Sequence, residues 1–131
     1  MEAANPNYQT VTVQSVQIAR GESVQVSLIV CTRNRASRLP YFLERLCSLE
    51  SPRNGWELIL VDRASTDSTG DVIARFASGA PFPVRHLRAT APALTGAKNA
   101  AIAHSRGEIL AFTDDDCYPQ PDHLRADRGV L

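Results

Sequence analysis

Several things are missing from this sequence of 131 residues, and each absence removes a class of function. Net charge is the first: 14 Lys and Arg balance 14 Asp and Glu. A nucleic-acid or membrane surface would then need a local basic patch, and none stands out along the chain. No apolar run approaches the roughly 20 residues that span a bilayer. The opening MEAANPNYQT also lacks the basic and apolar regions of a signal peptide. The expected location is cytoplasmic, with no transmembrane segment and no nucleic-acid partner. Cysteine is scarce: Cys31, Cys47 and Cys117 are odd in number, widely spaced and form no C-x-x-C pair. That argues against a disulfide framework and against a zinc site. His86, His104 and His123 share no spacing and are assigned no chemistry. The segment after the first strong strand reads TRNRASR where a dinucleotide turn would need G-x-G-x-x-G, and no G-x-x-x-x-G-K-[ST] run occurs. NAD, FAD and P-loop chemistry are set aside.

What is present centres on Glu108 to Asp122, EILAFTDDDCYPQPD. Ile109, Leu110, Ala111 and Phe112 form a short continuous apolar run of the kind a strand buried on both faces shows, and Pro119 and Pro121 keep it from continuing. Asp114, Asp115 and Asp116 follow at its carboxyl end. Three adjacent carboxylates repel one another and lose hydration when partly buried, so a cation, a positive side chain or open water must compensate. A solvated acidic turn is the plainer reading. The buried strand immediately before it favours a divalent metal.

Residues 1–22 carry a weak alternation of Val11, Val13, Val16 and Ile18 and read as an N-terminal tail with room for one peripheral strand. Residues 23–131 read as one domain. Val24 to Cys31 is a core strand followed by a polar loop, with Ser37 placed to cap the next element. Leu39, Phe42, Leu43 and Leu46 make one stripe of a helix with Pro40 in its first turn. Trp56 to Val61 is a second buried strand that delivers Asp62, and Trp56 reads as packing. Ser68 or Asp67 caps a helix with Val72, Ile73, Phe76 and Ala77 inward, closed by Gly79. A short strand, Val84 to Leu87, precedes an alanine-rich helix from about Leu94 to Ser105, stopped by Gly107. After the final strand, Asp122 to Leu131 looks like the start of another helix.

Four strands alternating with three helices predict an α/β fold: a mainly parallel open sheet with flanking helices and right-handed crossovers. Ligands of such sheets bind beyond the carboxyl ends of the strands. Thr32, Asn34 and Arg35, then Asp62, then Arg88, then Asp114 to Asp116 fall along that rim. A divalent cation with a few carboxylates suits an oxygen-rich ligand such as a nucleoside diphosphate conjugate.

Four motifs in order, VSLIVCTRNR, WELILVDRASTDST, TGAKNAAI and GEILAFTDDDCYPQPDHL, resemble the nucleotide-sugar-binding half of family 2 glycosyltransferases, which have the Rossmann-like GT-A fold. The resemblance runs from about Val24 to Leu124. It implies an inverting transfer of sugar from a nucleotide-diphosphate donor to an acceptor hydroxyl, with Mg²⁺ or Mn²⁺ as cofactor. By position, Asp114 and Asp116 match the metal-binding D-x-D motif, with Asp116 on the metal and Asp114 or Asp115 reaching the ribose or the metal's water shell. Asp62 matches the residue that contacts the base; capping its own loop is the duller alternative. Thr32, Asn34 and Arg35 match the loop lining the nucleotide pocket. Gly96, Lys98 and Asn99 match the helix start that approaches sugar and phosphates, although a lysine there is otherwise read as solvated. Arg33, Arg35 and Arg38 either steer an anion or form a wet surface.

Two departures accompany the resemblance. Arg63 and Ala64 stand where many relatives have a second acidic or amide residue and then glycine, so base choice is left open. The family's acceptor-binding half, which carries the general base, follows the D-x-D region, and the chain reads as truncated before it, so no catalytic residue is assigned. Two other classes compete: a non-catalytic or partner-dependent nucleotide-sugar-binding module, associating through the surface the missing half would cover, and a metal-dependent phosphoryl-transfer enzyme, which explains the Asp run alone.

Overall fold

The computed structural model describes residues 10–14, 24–90 and 93–124. β-branched and leucine-rich runs become five strands: β1 (Thr10–Gln14), β2 (Val24–Thr32), β3 (Trp56–Arg63), β4 (Val84–Ala89) and β5 (Gly107–Phe112). Between them lie α1 (Leu39–Leu46), α2 (Thr69–Gly79) and α3 (Leu94–His104). They form one sheet of order β1-β4-β3-β2-β5. β2 to β5 are parallel, and β1 pairs antiparallel with β4, Gln14 opposite His86. The expected mainly parallel α/β architecture is the one observed. The helix expected from Asp122 falls mostly outside the described residues, as do Val16 and Ile18.

The two-residue period of the strands sorts the core into two layers. Val26, Leu28 and Val30 with Leu58 and Leu60 face Leu39, Phe42, Leu43, Leu46 and Ile73 of α1 and α2. Ile29, Ile59, Val61 and Leu87 face the other way, against Ala97 and Ala101 of α3. Alanine there lets α3 lie close on the sheet. Trp56 is a packing residue, with ring centroids 4.3 Å from Phe82. The α1 cap differs from expectation, since Arg38, not Ser37, takes its N-cap position, whereas at α2 Ser68 takes the N-cap position and Asp67 Oδ1 accepts the Thr69 backbone N–H at 2.9 Å, as expected.

At the amino end of the sheet, Glu57 is wholly buried on the α3 side. Its Oε2 accepts Ser27 Oγ–H at 2.6 Å and the Arg106 backbone N–H at 2.7 Å, and Arg85 Nε lies 3.2 Å from Oε1. Ser27 Oγ in turn accepts the Gly107 N–H at 2.7 Å. A Cβ at position 107 would stand 2.5 Å from the Ser27 backbone nitrogen. Gly107 is therefore required by this close approach of β5 to β2, and not by the end of α3, which stops at His104 with Ser105 as its C-cap.

At the carboxyl end, two loops clasp each other. Arg33 donates to the Arg63 and Ala64 carbonyls at 2.8 and 2.9 Å. The Asn34 N–H donates to Ser65 Oγ, while Asn34 Oδ1 accepts the Thr66 and Asp67 backbone N–H groups. The Arg35 N–H donates to Thr69 Oγ1. Asn34 and Ala64 sit in the left-handed region, with φ of 54° and 53°. Asparagine tolerates that conformation; alanine pays about 1–2 kcal/mol for it.

Three outcomes are expected. Glu57→Ala leaves the Arg85 guanidinium buried without its counter-charge and lowers the unfolding free energy by about 3–5 kcal/mol in urea titration. Ala64→Gly relieves the left-handed strain and, after the entropy of glycine is subtracted, raises stability by about 0.5–1 kcal/mol. His86 is buried, neither ring nitrogen has a hydrogen-bond partner among the described residues, and burial pushes its pKa below the ordinary value. Above the unfolded-state pKa of about 6.5 both states are neutral. Below it the unfolded chain takes up a proton that the folded chain refuses, so stability falls with pH until the depressed folded value is passed. His86→Gln should shrink the loss of stability between about pH 7.5 and 5.5 measured by urea unfolding.

Candidate functional site

β2 lies between β3 and β5: the α1 crossover leads from β2 to β3 on one face and the α3 crossover returns from β4 to β5 on the other, which opens a crevice at the carboxyl end of β2. A cleft of about 250 Å³ occupies that position, on the α3 side of the sheet. Ile29 and Cys31 of β2 and Phe112 of β5 line it, with Leu94 and Lys98 of α3 and with Arg33, Arg35 and Arg63 from the strand ends. Thr113, Asp114, Asp115 and Asp116 complete it.

The acidic run is shaped by backbone bonding. The Thr113 N–H donates to the Ile29 carbonyl at 3.2 Å, extending the β2–β5 ladder by one step, and the Cys117 N–H donates to the Asp114 carbonyl at 3.2 Å, closing a turn. The three carboxylates then separate. Asp115 turns inward, its side chain 10% exposed; its Oδ2 accepts Thr32 Oγ1–H at 2.6 Å and faces Arg35 Nε at 3.7 Å. Asp114 and Asp116 stay exposed, and a carboxylate oxygen from each, with Cys117 Sγ, lie within 4.8 Å of one another. Two hard oxygen donors on an open turn suit Mg²⁺ or Mn²⁺, which keep water ligands; the thiol is the softer member of the set.

Cation charge surrounds these carboxylates. Arg33, Arg35, Arg63 and Lys98 all line the cleft, and the Lys98 ammonium stands 5.6 Å from the Phe112 ring centroid. Phe112 is 45% exposed there. Burial raises the Cys31 thiol to about 11, against the opposing pull of Arg63 and Lys98, so it remains protonated at neutral pH and is no nucleophile.

Of the residues picked from the sequence, Arg33, Arg35, Lys98, Asp114, Asp115 and Asp116 line the cleft, and Thr32 stands behind it holding Asp115. The others lie outside its lining. Asp62 is wholly buried, with Oδ1 accepting the Ser65 N–H at 3.0 Å and Oδ2 paired with Arg88 at 2.9 Å. Asn34 spends its side-chain oxygen on the loop clasp. Gly96 is buried in α3, and Asn99 is exposed on it. Sequence reasoning passed over Cys31, Leu94 and Phe112 as cleft residues and met Arg63 only as a departure from a pattern. Strand parity would have found Cys31 and Arg63, which share the α3-facing phase of Ile29, Ile59 and Val61.

With this geometry in hand, comparison with known proteins is direct. The family model for glycosyl transferase family 2 matches residues 27–126. Glycosyltransferase AglE of Haloferax volcanii is 30% identical over 105 residues, covering 80% of this chain and 34% of AglE. The beta-monoglucosyldiacylglycerol synthase of Nostoc sp. is 31% identical over 102 residues, 76% of this chain and 22% of the synthase. Among solved structures, the mannosyltransferase PcManGT from Pyrobaculum calidifontis, in complex with GDP-Man and Mn²⁺, superposes with a TM-score of 0.69 at 30% identity, covering 82% of this chain and 32% of that one. TarS of Staphylococcus aureus, residues 1–349 with UDP-GlcNAc, gives 0.67 at 25% identity over 81% and 30%. The chain thus spans about a third or less of the relatives it matches. The match over residues 27–126, together with the shared GT-A sheet, shows that this chain belongs to glycosyl transferase family 2.

Proposed function

We propose that the cleft is the donor site of an inverting glycosyltransferase, taking a nucleotide-diphosphate sugar and a divalent metal for transfer to an acceptor hydroxyl. The observation that carries this reading is the placement of the Asp114 and Asp116 carboxylates within 4.8 Å, on the wall of a cleft that also holds Arg35, Arg63 and Lys98. The donors of two structural neighbours, GDP-Man with Mn²⁺ and UDP-GlcNAc, are of the proposed class.

Asp114 and Asp116 would hold Mg²⁺ or Mn²⁺. When bound, the cation neutralises charge on the departing nucleoside diphosphate. Arg35, Arg63 and Lys98 attract the diphosphate and fix its orientation, and the amino end of α3 beside them adds to the positive potential. Thr32 and the clasped loops keep the wall rigid. Asp62, held on both oxygens, shapes the β3 end, and any contact it makes with a base would come in addition to its Arg88 pair. Deprotonation of the acceptor needs a base within hydrogen-bond reach, and the cleft offers none among the described residues: its carboxylates are those of the metal turn, and its thiol is protonated.

A second reading keeps the same donor site but leaves transfer to a complex with another polypeptide. Among the described residues no strand pairs with the outer edge of β5, and this edge with the half-exposed Phe112 on it favours the second reading. The phosphoryl-transfer alternative explains the carboxylates and leaves the family match unused.

Calorimetric titration with UDP, GDP and dTDP, with and without Mn²⁺, tests the donor site. One nucleotide should bind in a metal-dependent manner, and Asp116→Ala should weaken it at least about tenfold, or about 1.4 kcal/mol. Failure of a demonstrably folded chain to bind any of the three would refute the reading. Turnover with a sugar donor, present alone or only with an added polypeptide, separates the two forms of it.

A further inference from the structure

The middle carboxylate of the acidic run behaves unlike its neighbours. Asp114 and Asp116 are exposed, whereas the Asp115 side chain is 10% exposed and already engaged on Oδ2. Its partner Thr32 is itself 1% exposed and ends β2. Its second partner, Arg35, belongs to the clasp that ties the β2–α1 loop to the β3–α2 loop. A carboxylate placed this way connects the metal turn to two other segments of the rim at once.

We infer that Asp115 is a positioning residue: through Thr32 and Arg35 it pins the Asp114–Cys117 turn to the end of β2 so that Asp114 and Asp116 converge on one cation. This rests on the metal reading proposed above. Geometry supports it in three ways. Among the described residues the turn has one backbone bond of its own, from the Cys117 N–H to the Asp114 carbonyl, so its orientation depends on an outside anchor. Thr32 Oγ1 donates at 2.6 Å, a short charge-assisted bond that fixes the direction of the Asp115 side chain. Asp115 and Asp116 are the two central residues of that turn, and with Asp115 drawn inward Asp114 and Asp116 both stay exposed. A donor pair held in advance binds its cation without having to order the loop first.

The alternative is that Asp115 is itself a ligand, released from Thr32 when a cation arrives. Two near-isosteric substitutions separate these, because they change different things. Thr32→Val removes the anchor and leaves every carboxylate in place. Asp115→Asn keeps an oxygen that Thr32 can bond and removes the charge.

The measurement is Mn²⁺ affinity of the purified 131-residue chain by electron paramagnetic resonance, without nucleotide or activity, with melting temperatures recorded alongside. For a positioning role, Thr32→Val weakens Mn²⁺ binding about five- to tenfold, Thr32→Ser restores it to within about twofold, and Asp115→Asn costs only a few-fold, the range expected for losing pre-organisation and a nearby charge rather than a ligand. Wild-type affinity in folded Thr32→Val, or a loss in Asp115→Asn much larger than in Thr32→Val, overturns it. Thr32→Ser failing to rescue does the same. Should Thr32→Val melt below the assay temperature, the ratio between Thr32→Ser and Asp115→Asn decides: near-wild-type binding in the first with a large loss in the second assigns Asp115 to the metal. Absence of Mn²⁺ binding by the folded wild-type chain removes the metal reading itself, a different failure from an unchanged Thr32→Val.

Discussion

The position of β2 between β3 and β5 is the constraint from which the rest of the molecule follows. Parallel strands are joined by crossovers, and those beside β2 lie on opposite faces of the sheet, α1 leading from β2 to β3 and α3 returning from β4 to β5. The crevice at its carboxyl end is a consequence of strand order before any side chain is considered. Burial on both faces then obliges β2 to be almost wholly apolar, with Val26, Leu28 and Val30 in one layer and Ile29 in the other. Between Ser27 in the buried polar network and Thr32 at its end, the strand carries no polar side chain but the Cys31 thiol.

Each end of the sheet handles polarity in its own way. At the amino end, Glu57, Ser27, Arg85 and Gly107 form a dense network that crosses β2, β3, β4 and the start of β5. Such a network is valuable mainly when complete, since a buried carboxylate without partners is costly. It fixes the register of β5, the strand that delivers the acidic turn. At the carboxyl end the hydrogen bonds run between loops, through Arg33, Asn34 and Arg35, and hold a rim that remains open to solvent on its cleft side. A rigid lower end and a clasped but accessible upper end suit a site that must present charge with little rearrangement.

Charge in the cleft is arranged with both signs close together. Asp114 and Asp116 sit among Arg33, Arg35, Arg63 and Lys98, so a ligand that brings both a cation and a diphosphate leaves each group paired. A cation alone would face the arginines, and an anion alone the carboxylates. This complementarity is why we propose a metal–diphosphate unit as the ligand and not either component alone.

Element types, the parallel architecture and the acidic turn were legible in the chain because apolar periodicity and turn residues are local properties. Continuous apolar and β-branched runs marked the strands, Leu39, Phe42, Leu43 and Leu46 marked α1, and Ile109 to Phe112 running into Asp114 marked the rim. The order of strands, with β5 returning beside β2, depends on contacts between segments some 80 residues apart in sequence, as between Ser27 and Gly107. Sequence likewise identified three carboxylates without distinguishing them. Only the folded chain brings Thr32 and Arg35 to Asp115, turns Arg63 and Cys31 into one cleft, and buries Asp62 against Arg88. The physical reason is that residue type and spacing determine what a segment becomes, whereas the partner of a side chain is decided by where packing places the other end of the chain.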